Sequence, residues 1–145
     1  MRLNYVMHFA NLDLAKPQGC GMFVLFIDDD PEDYEVFCEA LKAFNSSAEC
    51  LHALNGYEAL NILKNVLFVL PEYIFLDVNM PVMGGEECII NLKKNPKFKD
   101  IPVIVYSTTA NAGEIATFKK LGAEHFVVKP PRFEKLVDIL KKILI

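Results

Sequence analysis

The sequence predicts an α/β fold in which five helices cover both faces of a doubly wound, five-stranded parallel sheet. Two observations predict this. Short apolar runs alternate with helix-like segments along most of the chain, which is typical of βαβ units. The first run, Phe23-Val24-Leu25-Phe26-Ile27, is apolar throughout, as expected of a strand that is buried on both faces of a parallel sheet.

The first strand and helix are the most sharply marked elements. The strand Phe23–Ile27 ends at an acidic segment, in which Asp30 suits the N-cap of a helix and Pro31 suits its first position. We expect this helix to run to about Asn45. A second strand is predicted over 48–54, where the polar residues Glu49 and His52 suggest an edge position.

The remaining elements follow from apolar runs and from helix-breaking residues. Asn55, with Glu58 three positions later, resembles a capping box and begins the second helix. The other expected strands cover 73–76, 101–106 and 125–128, and the other expected helices cover 86–95, 111–121 and 133–144. Because crossovers are right-handed, few topologies fit, and the flavodoxin-like strand order 2-1-3-4-5 is the commonest at this length.

The composition limits the class of protein. The chain has 145 residues, 52% hydrophobic and 23% charged, which suits one domain with a core. Its net charge of -4 argues against nucleic acid as a direct partner. No apolar run reaches bilayer length, so no membrane contact is expected. The four cysteines lack metal-type spacing and are interpreted as reduced, which favours a cytoplasmic protein.

The first 21 residues do not fit the α/β pattern. They are mildly apolar, but charged residues follow and no small-residue cleavage site is present, so the segment is a poor signal peptide. We therefore expect residues 1–21 to form a leader that is disordered or loosely packed, and residues 22–145 to form the folded domain.

Polar side chains follow four of the five predicted strands. Asp28 and Asp29 follow the first strand, Asp77 the third, Ser107 the fourth and Lys129 the fifth. Taken singly, the acids could be solvated helix charges, the serine a turn hydroxyl and the lysine a surface residue. In the order 2-1-3-4-5 these four strands are neighbours, so one sheet edge would gather all five side chains. That joint placement favours a functional site.

Three carboxylates this close together need a compensating cation. Mg²⁺ fits, because it takes a few protein carboxylates together with waters and phosphate oxygens. A carboxylate nucleophile beside Mg²⁺, with an ammonium and a hydroxyl near it, suits phosphoryl transfer. Asp77 is the predicted nucleophile, since it ends a central strand and precedes a loop with a proline and two glycines.

These residues resemble the receiver domain of two-component response regulators, over about 22–144. The resemblance rests on five ordered features that are specific only in combination. They are Phe26-Ile27-Asp28-Asp29-Asp30-Pro31, Leu76-Asp77-Val78-Asn79-Met80-Pro81, Val105-Tyr106-Ser107, Gly122-Ala123 and Phe126-Val127-Val128-Lys129-Pro130.

The resemblance implies a role for each acidic residue. Asp77 would be the phosphoacceptor, and a sensor histidine kinase or phosphotransfer protein would supply the phosphoryl group. Asp28, Asp29 and Asp77 would hold Mg²⁺, with the main-chain carbonyl of Asn79 as a further ligand. The domain would catalyse only its own phosphorylation and dephosphorylation, and so would not be an enzyme in the usual sense.

The resemblance also implies a switch. Ser107 would hydrogen-bond the phosphoryl group and Lys129 would pair with it, with a cis peptide between Lys129 and Pro130. Phe126 would turn inward as Ser107 moves, changing the surface of the fourth helix, the fifth strand and the fifth helix. We expect a stand-alone receiver that signals to a downstream protein by direct contact. Whether phosphorylation also drives homodimerisation is left open by the sequence.

Two other functions compete with this interpretation. In a Mg²⁺-dependent phosphohydrolase of the haloacid-dehalogenase type, Asp28 and Asp30 would form the Asp-x-Asp nucleophile motif. The short chain and the lack of an acidic pair after the fourth strand argue against it. A pseudo-receiver that only binds partners is the second alternative, and the presence of Asp77, Ser107 and Lys129 argues against that.

Overall fold

The computed structural model describes residues 21–144, so the predicted leader, apart from Gly21, lies outside the described residues. Within them, five strands alternate with five helices. The strands are β1 (Phe23–Ile27), β2 (Glu49–Ala53), β3 (Tyr73–Leu76), β4 (Val103–Ser107) and β5 (His125–Val128). The helices are α1 (Pro31–Phe44), α2 (Gly56–Asn65), α3 (Gly85–Lys94), α4 (Ala112–Lys120) and α5 (Phe133–Ile143).

All five strands pair in parallel, in the order β2-β1-β3-β4-β5. The predicted flavodoxin-like, doubly wound sheet is therefore confirmed. The element boundaries differ from the predicted ones by at most two residues at most ends, because strand and helix ends are the weakest part of a sequence pattern. Over residues 21–144, no helix combines the length and the apolar character that crossing a bilayer requires.

Each face of the sheet has its own hydrophobic core. Helices α1 and α5 cover one face, where Phe37 and Leu140 are fully buried, and α2, α3 and α4 cover the other. On the first face Phe37 stacks on Phe26, with ring centroids 4.5 Å apart, and lies 4.6 Å from Phe75. Apolar burial on both faces explains why the central strands are continuously hydrophobic.

Side-chain caps fix where the first two helices begin. The Asp30 carboxylate accepts a hydrogen bond from the Glu32 amide at 2.9 Å, as the sequence predicts for an N-cap. The Asn55 side chain accepts from the Glu58 amide at 2.8 Å, and the Glu58 carboxylate accepts from the Leu54 amide at 2.8 Å. The two reciprocal bonds are those expected of a capping box, with the second donor one residue earlier than usual.

Strand β2 lies at the sheet edge, as predicted. The prediction relied partly on His52 as a polar residue, but His52 is not exposed. His52 is only 5% exposed, and its ring stacks on Tyr34 with centroids 4.2 Å apart. Its Nε2 lies 2.6 Å from the main-chain carbonyl oxygen of Asp28. Because a carbonyl only accepts, Nε2 carries the proton. His52 therefore joins the edge strand to the end of β1.

The expected cis peptide between Lys129 and Pro130 is wrong. None of the peptide bonds among the described residues is cis, so this bond is trans. Trans is the intrinsically favoured isomer of such a bond by about 0.5–1 kcal/mol. The Lys129 amide still completes the ladder to β4 by donating to the Ser107 carbonyl at 2.7 Å.

The loop between β3 and α3 contains a strained residue. Val82 has a φ of 72° and is 79% exposed, and it is the only non-glycine residue with positive φ in the described part of the chain. Hydrogen bonds on either side hold the loop, since the Gly56 amide donates to the Met83 carbonyl at 3.1 Å and the Gly85 amide to the Val78 carbonyl at 2.9 Å. A left-handed conformation costs a β-branched residue roughly 1–2 kcal/mol.

We therefore expect Val82→Asn to stabilise the protein. Asparagine adopts positive φ more readily than valine, and Val82 buries little apolar surface, so the free energy of unfolding should rise by about 0.5–1 kcal/mol. Urea unfolding measures the change. Val69→Asn is the matched control, because Val69 is also exposed, at 53%, but does not have positive φ. An equal effect at both positions would contradict the strain at Val82.

Candidate functional site

Main-chain hydrogen bonds bring the predicted site residues to one edge of the sheet. The Asp77 amide donates to the Ile27 carbonyl at 2.9 Å, which extends the β1–β3 ladder and places Asp77 beside Asp28. The Lys129 amide donates to the Ser107 carbonyl at 2.7 Å, which extends the β4–β5 ladder in the same way. The carboxyl ends of four neighbouring strands therefore meet, as in other open α/β sheets.

Three aspartates form a compact acidic cluster at this edge. One carboxylate oxygen each from Asp28, Asp29 and Asp77 lies within 4.8 Å of the others. Asp28 is 1% and Asp77 9% exposed, whereas Asp29 is exposed. The Asp28 Oδ1 also accepts a hydrogen bond from the Asp30 amide at 2.9 Å. Oxygen ligands that converge in this way suit a hard divalent cation.

The Lys129 ammonium lies among several acidic groups. Its Nζ is 2.7 Å from Asp28 Oδ2 and 2.7 Å from Asp33 Oδ2, but 3.7 Å from Asp77 Oδ1. It also lies 5.4 Å from the centre of the Tyr106 ring. Lys129 therefore compensates the buried Asp28 most directly and reaches Asp77 only at longer range.

Burial and charge together perturb the titration of these groups. Burial, followed by the neighbouring charge of Asp28, raises the pKa of Asp77 to about 6. Burial also raises the pKa of Asp28, although its hydrogen bond from Lys129 opposes this. For Lys129, burial would lower the pKa, but the hydrogen bonds to Asp28 and Asp33 and nearby carboxylate charges outweigh it and hold the pKa above its ordinary value.

Ser107 lies at the same edge but is not bonded to the acidic cluster. Its side chain is 1% exposed, and its hydroxyl accepts a hydrogen bond of 3.4 Å from the Thr109 amide. Among the described residues, the hydroxyl makes no hydrogen bond to Asp77 or to the Lys129 ammonium.

Asn79 lines a cavity beside the acidic cluster, and Phe126 packs against one of the residues in its wall. Asn79 is exposed and lines a cavity of about 420 Å³ between the first turns of α3 and α4, with Phe118 among the other lining residues. Phe126 is half-buried and meets Phe118 edge to face, with ring centroids 6.0 Å apart. The predicted switch aromatic thus packs against the wall of the cavity next to the acidic cluster.

Helix α3 begins in direct contact with the backbone of Asp77. At Gly85, the first residue of the helix, a Cβ atom would lie 2.6 Å from the Asp77 carbonyl oxygen and 2.9 Å from the Val78 Cα. No side chain fits at such distances. Glycine is therefore required where the helix meets the end of β3.

Three residues of the site were not among the predicted ones. Asp33, in the first turn of α1, and Tyr106, in β4, had no predicted role at the site. His52 was interpreted as a polar edge residue. The spacing Asp30-x-x-Asp33 offered a weak signal, since a helix places both near the same end of the sheet. No sequence pattern points to the contacts of Tyr106 or His52.

The family model of the response regulator receiver domain matches residues 24–141 of this chain. The chain belongs to the response regulator receiver domain family. The family match supports phosphoryl acceptance in two-component signalling and gives no support to a haloacid-dehalogenase phosphohydrolase. The receiver domain is thus a signalling domain.

Curated relatives include chemotaxis proteins. The receiver domain is 30% identical over 123 residues to a Chemotaxis protein CheY homolog of Campylobacter jejuni, a match that covers 82% of this chain and 92% of that protein. It is also 30% identical over 128 residues to the Sensor histidine kinase CheAY of Helicobacter pylori, covering 88% of this chain. The chain spans only 16% of the length of CheAY.

Solved structures of response regulators share the fold. The phosphorylated cyanobacterial phytochrome response regulator RcpA superposes with a TM-score of 0.77 at 27% identity, covering 86% of this chain and 91% of RcpA. The Mn²⁺-bound form of response regulator Rcp1 superposes with a TM-score of 0.73 at 25% identity, covering 84% of this chain and 91% of Rcp1. The receiver domain is therefore similar to these regulators over nearly all its described residues.

The raised pKa of Asp77 predicts a characteristic dependence of stability on pH. Between its ordinary pKa of 3.8 and about 6, the folded receiver domain binds more protons at Asp77 than the unfolded chain does. Stability from this group is therefore full below about pH 4 and is lost as the pH rises through about 6. In the absence of metal, Asp77→Asn should stabilise the fold by about 1–3 kcal/mol at pH 7.5, and the gain should vanish near pH 4.

Urea unfolding of the wild type and the variant in chelator, across this pH range, measures the difference. Asp100→Asn is a suitable control, since Asp100 is an exposed aspartate that precedes β4 and so lies at the opposite edge of the sheet from the site. If Asp77→Asn destabilised the fold equally at every pH, that result would contradict a raised pKa for a buried Asp77 carboxylate.

Proposed function

We propose that the receiver domain accepts a phosphoryl group on Asp77 from the phosphohistidine of a sensor histidine kinase or phosphotransfer protein. The observation that carries the proposal is the placement of Asp77, at the end of central strand β3, with Asp28, Asp29 and the Lys129 ammonium around it. A carboxylate with a pKa of about 6 is largely ionised at neutral pH and is therefore able to act as a nucleophile.

In the proposed transfer, a carboxylate oxygen of Asp77 attacks phosphorus. An O–P bond forms, the P–N bond of the phosphohistidine breaks, and its electron pair stays on the ring nitrogen. With the second ring nitrogen protonated in the reacting phosphohistidine, the imidazole leaves as a neutral ring. Lys129 neutralises negative charge on the phosphoryl oxygens, and the Ser107 hydroxyl donates a hydrogen bond to one of them. Water later cleaves the O–P bond and restores the carboxylate, so the domain acts only on its own phosphorylation state.

We further propose Mg²⁺ as the cofactor of the site. Asp28, Asp29 and Asp77 provide converging carboxylates, and the main-chain carbonyl of Asn79 would complete the protein ligands. Bound there, the ion would supply charge neutralisation for the transferring group. The related Mn²⁺-bound Rcp1 supports a divalent ion in this fold. Burial raises the pKa values of Asp28 and Asp77, and a bound cation would favour the charged form of both carboxylates.

The proposed output is a change of surface on one side of the molecule. Movement of Ser107 toward the phosphoryl group would let Phe126 turn inward and would alter the face formed by α4, β5 and α5. Strand β5 lies at the sheet edge and Val128 is 47% exposed there, which supports a contact surface for a downstream protein or for a second copy after phosphorylation. We propose residues 22–145 as the folded receiver unit and the cytoplasm as its location.

Asp77→Asn should abolish phosphorylation by acetyl phosphate in the presence of Mg²⁺, because the only proposed acceptor oxygen is lost. Phos-tag electrophoresis and peptide mapping by mass spectrometry measure the label and its position. Asp30→Asn is the matched control. Asp30 is the second acid of the competing phosphohydrolase motif, yet here its side chain caps α1, a task that asparagine performs equally well. Labelling lost in Asp28→Asn and kept in Asp77→Asn would support the phosphohydrolase instead, since Asp28 would be its nucleophile.

Millimolar Mg²⁺ should raise the melting temperature. At ten times its dissociation constant, a ligand that binds only the folded state adds about 1.4 kcal/mol, which is roughly 3–6 °C for a domain of this size. Asp29→Asn should reduce the shift, because it removes an exposed ligand with little effect on the core. Differential scanning calorimetry measures both, with NaCl at equal ionic strength as the control. An unchanged melting temperature would count against the metal site.

A further inference from the structure

The shortest contacts of Lys129 are with acidic residues other than the proposed acceptor. Its Nζ lies 2.7 Å from carboxylate oxygens of Asp28 and Asp33, and 1 Å farther, at 3.7 Å, from Asp77. A charge-assisted hydrogen bond at 2.7 Å is near its optimum, whereas 3.7 Å is beyond hydrogen-bond distance. The ammonium is therefore hydrogen-bonded to Asp28 and Asp33 and not to Asp77.

The two carboxylates that bind the Lys129 ammonium differ in how much stabilisation each would lose if the ammonium moved away. The Asp28 side chain is 1% exposed, so without its counter-charge it would be a buried, uncompensated anion. The Asp33 side chain is 35% exposed and sits in the first turn of α1, where water and the helix dipole stabilise its charge. Asp33 is therefore the partner that can release the ammonium at small cost.

We propose that Asp33 is a positioning residue that holds Lys129 away from Asp77 in the unphosphorylated receiver domain and releases it when a phosphoryl group occupies Asp77. This inference rests on the proposed function of Asp77. The phosphoryl group brings further negative charge to Asp77 and competes for the same ammonium. Asp33 thus stabilises the unphosphorylated state selectively and limits how readily the domain is phosphorylated.

The size of the effect follows from the exposure of the pair. A partly exposed ion pair contributes much less free energy than a buried one. Its loss corresponds to about a two- to fivefold change in an equilibrium constant. The direction is more informative than the size. Removing a residue that merely supports the site should weaken binding of a phosphoryl group, whereas removing Asp33 should strengthen it.

The test uses beryllofluoride, a mimic of the phosphoryl group, at saturating Mg²⁺ and physiological ionic strength. We expect Asp33→Asn to bind beryllofluoride about two to five times more tightly than the wild type, by isothermal titration calorimetry. Asp33→Glu should remain closer to the wild type, since it keeps the carboxylate. Circular dichroism and urea unfolding establish that each variant is folded.

Glu32→Gln separates the contact from a general charge effect. Glu32 is the exposed neighbour of Asp33 in the same helical turn, and it makes no ion pair with any described residue. Glu32→Gln changes the net charge by the same amount as Asp33→Asn but leaves the contacts of Lys129 unchanged. The affinity of this variant for beryllofluoride should therefore match that of the wild type. Equal tightening in Glu32→Gln and Asp33→Asn, or no tightening in Asp33→Asn, would overturn the inference. A wild type that fails to bind beryllofluoride would instead overturn the proposed function.

Discussion

The parallel pairing of β1 with β3 forces two carboxylates, Asp28 and Asp77, into adjacent positions from which water is largely excluded. The ladder leaves no alternative, because the Asp77 amide bonds to the residue immediately before Asp28. Burying these charges is costly, because burial raises the pKa of both groups, and the charge of Asp28 raises the pKa of Asp77 further. Most other features of the site either offset this cost or depend on it for their chemistry.

The Lys129 ammonium is the main positive charge that the protein itself places beside these carboxylates. Because Lys129 follows the edge strand β5, the site depends on the pairing of that strand. Lys129 reaches from this far edge across two intervening strand ends to Asp28. Strand β5 is only partly buried, so its attachment relies on pairing with β4 and on this ionic contact as well as on its core. The charge balance of the site and the attachment of the edge strand therefore depend on each other.

The sheet and its order could be predicted because they depend on local patterns. Apolar runs, caps and breakers give the elements, and right-handed crossovers then leave one common order. The convergence of Asp28, Asp77 and Lys129 follows from that order alone. What the sequence does not determine is which carboxylate takes the ammonium. That choice depends on side-chain rotamers and on burial, and it joins residues 96 positions apart.

Other differences have equally physical origins. A histidine in an edge strand suggests exposure, yet His52 is buried because the Asp28 carbonyl needs a donor where the β1 ladder ends. A valine predicts ordinary backbone angles, but at Val82 the hydrogen bonds of the surrounding loop impose a positive φ. In both cases a tertiary contact overrides the preference of the residue itself.

The contact between Gly85 and the Asp77 backbone leaves no space for a side chain between the end of β3 and the start of helix α3. At its other end the helix is tied down, since the Lys93 ammonium donates to the carbonyls of Lys99 and Ile101 at 2.9 and 3.0 Å. Helix α3 therefore connects two edges of the sheet through close contacts at both of its ends. One end meets the backbone of the proposed acceptor, and the other meets the opposite rim, where β4 begins.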